Sequence, residues 1–98
     1  MLRLLDSPRP PDAVFCFTDE LALGALRAAA DRGVAVPESL ALVGFDDVED
    51  GRFSVPALTT VSPDKDRIAE LALDLLTHQA DAPRSVIAPH RLVVRETS

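Results

Sequence analysis

The 98-residue chain has no tryptophan and no tyrosine, one cysteine, one methionine and four glycines. With aromatics at 4%, all phenylalanine, it lacks a platform on which bases or sugar rings stack. The lone Cys16 excludes an internal disulfide, and no Cys/His cluster has zinc-ligand spacing. Lysine is nearly missing, since nine of the ten basic residues are arginine. These ten are scattered among 16 acidic residues for a net charge of −6, a balance that argues against nucleic-acid contact by this chain. Long apolar runs are also missing. Leu40-Ala41-Leu42-Val43 is typical, and no segment is long enough to span a bilayer. The segment Met1-Leu2-Arg3-Leu4-Leu5-Asp6 has no apolar core bounded by a cleavage site, so it does not read as a signal peptide. These absences predict a cytoplasmic protein with no membrane partner. What is present, 47% hydrophobic and 27% charged residues, is the composition of a folded domain rather than a disordered chain. The length suits one domain or part of one, burying roughly 60–70% of its unfolded surface.

Prolines punctuate the chain. Met1 to Leu5 reads as one helical turn, broken by Ser7-Pro8-Arg9-Pro10-Pro11-Asp12. Ala13-Val14-Phe15-Cys16-Phe17 has the nearly continuous apolar character of a strand buried on both faces. Thr18 or Asp19 is placed to cap a helix running to Asp31. On that helix Leu23, Leu26 and Ala30 form one stripe, and Ala22, Ala25 and Ala29 the next. Gly33 is expected to end it in a left-handed cap. Leu40 to Phe45 reads as a second buried strand, completing a parallel βαβ crossover. An acidic loop from Asp46 to Gly51 follows, then a short strand over Leu58 to Val61. Ser62 is expected to cap a second helix with Pro63 at its first position, Asp64 and Asp66 complementing its positive end. Ile68, Leu71, Ala72, Leu75, Leu76 and Gln79 share one face of it. Asp81-Ala82-Pro83 turns the chain, and Ser85 to Ile87 and Arg91 to Val94 read as strands. The fold class is α/β.

Ligands of open parallel sheets bind beyond the carboxyl ends of the strands. The two predicted strands end in Thr18-Asp19 and Asp46-Asp47, which a right-handed crossover brings to one edge. Carboxylates there accept hydrogen bonds from two directions, which suits vicinal hydroxyls, and they repel phosphate. A neutral polyol or glycoside is therefore the expected ligand class. Asp46 ends a strand with no helix to cap, so ligand contact is the favoured reading there. The Thr18 hydroxyl serves a cap or a ligand equally well. Asp19 is favoured as a cap, and Asp47, Glu49 and Asp50 as a solvated loop face. A calcium loop at Asp46–Gly51 fails, because Val48 and Ala57 stand where oxygen ligands are needed. Cys16 reads as an inert core thiol, His78 as a helix-end residue and His90 as a surface turn residue. No nucleophile–base pair and no Gly-rich phosphate loop is present, so no catalytic residue, metal or cofactor is expected.

Four segments carry a family resemblance. Phe17-Thr18-Asp19-Glu20-Leu21-Ala22-Leu23-Gly24 resembles the Asn-Asp-x-x-Ala-x-Gly segment of the LacI/GalR regulators. Val36-Pro37-Glu38-Ser39 through Val43-Gly44-Phe45-Asp46-Asp47 resembles their Val-Pro-x-Asp…Gly-Phe-Asp-Asp strand. Pro56-Ala57-Leu58-Thr59-Thr60-Val61 resembles Pro-Pro-Leu-Thr-Thr-Val, and Leu92-Val93-Val94-Arg95-Glu96 resembles the terminal Leu-Val-x-Arg. Together they cover nearly the whole chain in unbroken order.

The resemblance implies part of a periplasmic-binding-protein-like (type I) effector domain, two α/β lobes around a sugar-sized cleft. Residues 1–58 would belong to the second lobe, and 59–98 to the crossover, a helix of first-lobe type and the terminal strands. It implies effector contacts at Asp46 and at Thr18, which stands where the family has Asn and lacks the amide's reach. It also implies a dimer face that includes Leu23, Arg27, Asp50 and Phe53. Such regulators begin with a helix-turn-helix domain that has no counterpart here. The chain is therefore expected to be the last part of a longer regulator, reaching operator DNA only through that other domain. The Ile68, Leu71, Leu75 and Leu76 stripe would lose its usual cover, which predicts a homo-oligomer. Two other classes compete, a lobe of a transporter-associated sugar-binding protein and a stand-alone dimerisation module. An enzyme ranks last.

Overall fold

The computed structural model describes residues 1–78 and 84–98. The expected turn at Asp81-Ala82-Pro83 and the helix position Gln79 lie outside the described residues. Eight elements follow in order: α1 (Leu2–Leu5), β1 (Ala13–Phe15), α2 (Asp19–Asp31), β2 (Ala41–Phe45), α3 (Asp50–Phe53), β3 (Thr59–Pro63), α4 (Lys65–Thr77) and β4 (His90–Val93). The strands form one sheet in the order β1-β2-β3-β4. The first two pairings are parallel, and β4 is antiparallel to β3.

Helix α2 follows its sequence signals closely. The Thr18 hydroxyl accepts the Leu21 N–H at 3.2 Å as the N-cap, and Gly33 takes φ +66° beyond the C-terminus, with the Val34 N–H bonding back to the Ala29 carbonyl at 2.9 Å. Its buried face is Asp19, Ala22, Ala25, Ala28 and Ala29, while Leu23 and Leu26 are half-buried and Ala30 is exposed. An alanine face lets the helix axis approach the sheet closely. Ala25 and Ala29 pack with Leu40 and Leu42 into the core, flanked by Met1, Leu5, Val14, Cys16, Leu26, Val34 and Val36. Burying Leu40, Leu42 and Leu58 fully stabilises the fold by roughly 1.5–3 kcal/mol each.

Several expectations are corrected. Strand β1 is shorter than Ala13–Phe17 and is an edge strand. Phe15 and Phe17 are exposed, 6.4 Å apart in an edge-to-face pair, and Cys16 is half-buried rather than in the centre of a core. Ser62 and Pro63 do not open α4. They continue β3, where Arg91 and His90 pair with them, and Asp64 caps α4 by accepting the Arg67 N–H at 3.0 Å. That pairing also places His90 in a strand instead of a turn. Ser85 to Ile87 form no strand, and the last strand ends at Val93. Asp50 and Gly51 belong to the short helix α3, not to a loop.

The C-terminal segment bridges β2 and the start of β3. The Thr97 hydroxyl donates to the Leu42 carbonyl at 2.7 Å and accepts the Thr59 N–H at 2.8 Å, and the Leu42 N–H donates to the Thr97 carbonyl at 2.8 Å. Thr97 is fully buried by this insertion between β2 and β3.

Helix α4 is different. None of its residues is buried, and Ile68, Leu73, Leu75 and Leu76 are exposed. The accessible surface is 6922 Å², against about 5,400 Å² for a compact monomer of this mass. The radius of gyration is 17.2 Å, where roughly 13 Å is usual for this length. Much of α4's apolar face therefore lies open.

Candidate functional site

The β1–β2 register ends at Phe15↔Val43, and Thr18 and Asp46 lie just beyond the carboxyl ends of the two strands. Both lie at the carboxyl edge of the sheet, as the crossover required. Asp46 follows β2 directly. It adopts φ 114° and Asp47 adopts φ 56°, a left-handed pair that costs of order 1–3 kcal/mol per residue where side chains are present. Aspartate tolerates this region better than most residues.

Hydrogen bonds hold the turn at three successive residues. The Asp46 N–H donates to the Val61 carbonyl at 2.9 Å. The Asp47 carboxylate accepts the Ser62 hydroxyl at 2.9 Å and the Arg95 guanidinium at 2.7 Å, with Arg52 at 3.6 Å. The Val48 N–H donates to Asp19 Oδ2 at 2.8 Å. Asp19 is completely buried, and its Oδ1 accepts the Thr60 hydroxyl at 2.6 Å. It is therefore neither the helix cap nor a ligand contact. It ties the start of α2 to β3 and to the loop.

Gly44 is required by this arrangement. A Cβ there would collide with the Asp19 carboxylate and lie 3.2 Å from Leu58 Cδ2. Gly51 also lies against Leu58 and Asp19, which seats α3 beside the N-terminal end of α2.

Asp47 is not part of a solvated loop face. Its side chain is 8% exposed, and the Arg95 hydrogen bond holds its carboxyl below the usual range, against the opposing effect of burial. Glu49 and Asp50 are exposed as expected.

Asp46 lines an open groove of about 490 Å³ together with Asp47, Arg52, Ser62, Lys65 and Arg91; His90 and Asp66 also reach it. Thr18 is not among its lining residues. The basic members were missed from sequence, because Arg91 and His90 arrive only through the β3–β4 pairing. Arg95 stands in a quoted segment, yet nothing in its spacing tied it to Asp47. Of the four residues expected at a dimer face, Arg27 and Phe53 are exposed, Asp50 is exposed on α3, and Leu23 is half-buried on α2. Arg27 also pairs with Asp31 at 2.9 Å. Burial raises the Cys16 thiol, in keeping with an unreactive role. Among the described residues no three potential metal ligands come together, and no helix is long and apolar enough to cross a membrane.

A mostly parallel sheet whose polar groups gather beyond the ends of its parallel strands is the frame of a ligand-binding α/β domain. The chain belongs to the periplasmic binding protein-like domain family, which matches residues 1–98, and it is similar to a segment of LacI-type transcriptional regulators. It is 39% identical over 101 residues to the HTH-type transcriptional repressor PurR of Escherichia coli O139:H28, covering 99% of this chain and 30% of that protein. The chain thus spans about 30% of the length of the curated relatives it matches. A LacI-family regulator of Sanguibacter keddieii shares 48% identity at a TM-score of 0.89, over 98% of this chain and 39% of that one. The lac repressor dimer bound to operator and the anti-inducer ONPF shares 32% identity at a TM-score of 0.85, over 99% and 35%. A Lactobacillus casei LacI-family regulator with bound sucrose shares 28% identity at a TM-score of 0.79, over 99% and 38%. All of these relatives are named as transcriptional regulators or repressors.

Proposed function

We propose that this chain is the C-terminal effector-binding and dimerisation portion of a sugar-responsive regulator of the cytoplasm. Operator DNA would be contacted by a domain outside it. The observation that carries this reading is Asp46, held at the carboxyl edge of the sheet in a left-handed turn and lining an open groove. A carboxylate so placed accepts two hydroxyls of a polyol. Thr18 lies at the same edge of the sheet beyond β1, and its hydroxyl caps α2 through its oxygen, which leaves the proton to donate. The sucrose-bound relative supports a saccharide as the ligand class. Residues 1–58 would form part of one lobe and 59–98 the crossover and the segment reaching the other lobe. Effector binding would favour one lobe arrangement and thereby alter operator affinity, which requires unequal effector affinity for the two arrangements.

Dimerisation would use Leu23 and Arg27 on α2 with Asp50 and Phe53 on α3. Phe53 is 76% exposed, and neighbouring Val55 is 96% exposed. The operator-bound lac repressor dimer supports this assembly.

One observation favours a second ligand reading. Lys65 and Arg91 share the groove with Asp46, and cations there suit a sugar acid or sugar phosphate. Calorimetric titration of the whole regulator with neutral and phosphorylated sugars decides between the two. The primary reading expects a neutral saccharide to bind and Asp46→Ala to abolish binding. Selective binding of phosphorylated sugars, unaffected at Asp46, overturns it.

A further inference from the structure

The turn that presents Asp46 is anchored by a residue from the far end of the chain. The Arg95 backbone N–H donates to Thr59 Oγ1 at 2.9 Å, and its guanidinium donates to the Leu58 carbonyl at 2.8 Å and to Asp47 Oδ1 at 2.7 Å. Arg95 is thus fixed to the start of β3 before it reaches the loop, and its side chain is only 17% exposed. Ser62 and Arg52 engage the other oxygen of Asp47. Both carboxylate oxygens are therefore occupied by groups from three separate parts of the chain.

Asp46 and Asp47 share a peptide plane, so a side chain held at Asp47 also sets the direction in which the Asp46 side chain leaves the backbone. Two consecutive non-glycine residues at positive φ persist only where surrounding contacts over-determine them. Asp46 and Val48 are held through their backbone N–H groups, the latter on the buried Asp19 carboxylate that also binds Thr60, whereas Asp47 is held through its own side chain. Substitution at Arg95 releases that side-chain anchor and leaves the Asp19 contacts in place.

We propose that Arg95, acting through Asp47, is a positioning residue that sets Asp46 for effector contact. The inference rests on the reading of Asp46 as that contact. An arginine is needed because its planar fork reaches the Leu58 carbonyl and the Asp47 carboxylate together, whereas a lysine ammonium on one stem reaches one of them.

The test uses the whole regulator with a panel of sucrose, cellobiose, galactose and ribose, titrated calorimetrically against wild type, Arg95→Gln, Arg95→Lys, Asp47→Asn, the Arg95→Gln/Asp47→Asn double variant and Asp46→Ala. Asp46→Ala is expected to abolish binding of the preferred saccharide. Arg95→Gln and Asp47→Asn should each weaken it roughly ten-fold, the double variant no further, and Arg95→Lys should recover part of the loss. A crystal structure of Arg95→Gln should show Asp46 and Asp47 displaced from their left-handed conformations. If Arg95→Gln does not fold, Asp47→Asn carries the comparison. Single variants that bind within two-fold of wild type, while Asp46→Ala does not bind, overturn the positioning role alone. An Asp46→Ala variant that binds as wild type, or binding of none of the panel, overturns the effector reading, and the positioning role falls with it.

Discussion

The buried carboxylate of Asp19 accepts the Thr60 hydroxyl at 2.6 Å across 41 residues of sequence, and its other oxygen takes the Val48 N–H at 2.8 Å. One side chain thereby joins the first residue of α2, the middle of the sheet and the loop after β2. Replacing Asp19 by Asn leaves one acceptor oxygen where two are used. The expected loss is about 1–3 kcal/mol of unfolding free energy, read from the urea midpoint at unchanged slope.

Gly44→Ala should also destabilise, by roughly 1–3 kcal/mol, because the new methyl meets a carboxylate that two hydrogen bonds hold in place. Combining it with Asp19→Ala removes the nearest obstacle and leaves the contacts at 3.2 Å to the residue 19 Cα and Leu58 Cδ2, so the two losses should be less than additive in a double-mutant cycle. Additive losses would place the strain elsewhere.

Thr97→Val keeps the shape of the side chain and deletes its hydroxyl. The Leu42 carbonyl and the Thr59 N–H each lose a partner in a buried setting, at about 1–3 kcal/mol for each unsatisfied group. Thermal unfolding should show the loss, and Thr97→Ser should recover most of it.

The ion pair at Asp47 gives stability a defined pH dependence. Its folded carboxyl lies below the ordinary value of 3.8, so the contribution is complete above 3.8 and is lost as pH falls through the folded value. Comparing wild type with Asp47→Asn by urea unfolding from pH 7 to pH 2.5, the difference between them should be constant down to about pH 4 and shrink below it. A difference that declines instead between pH 7 and pH 5 would contradict the assignment.

Charge placed on the proposed dimer face should dissociate it. Phe53→Asp is expected to shift the whole regulator toward monomer in sedimentation velocity at micromolar concentration, with secondary structure retained, because Phe53 is exposed within this chain. An unchanged dimer would move the interface off α3.

The extent of helix α2 was legible in sequence almost to the residue, since a cap at Thr18 or Asp19 and Gly33 are local signals that agree, but which of the two caps and which stripe is buried were not. The parallel β1–β2 pairing followed from the crossover alone. The start of α4 was misplaced because Ser62-Pro63 carries a strong local helix signal that pairing with Arg91 and His90 overrides. The position of Asp46 directly after β2 was legible, because a polar residue ending a buried strand stands out. The roles of Asp19, Asp47 and Arg95 were not. Each depends on a partner 29 to 48 positions away, and no periodic pattern encodes such a distance.

A crystal structure of the whole regulator with its preferred saccharide tests the central claim most directly. The account predicts sugar hydroxyls within hydrogen-bond distance of the Asp46 carboxylate, with the Asp46–Asp47 turn and the Arg95 contact unchanged. A saccharide bound away from the carboxyl edge of the sheet, with Asp46 facing solvent, would contradict it.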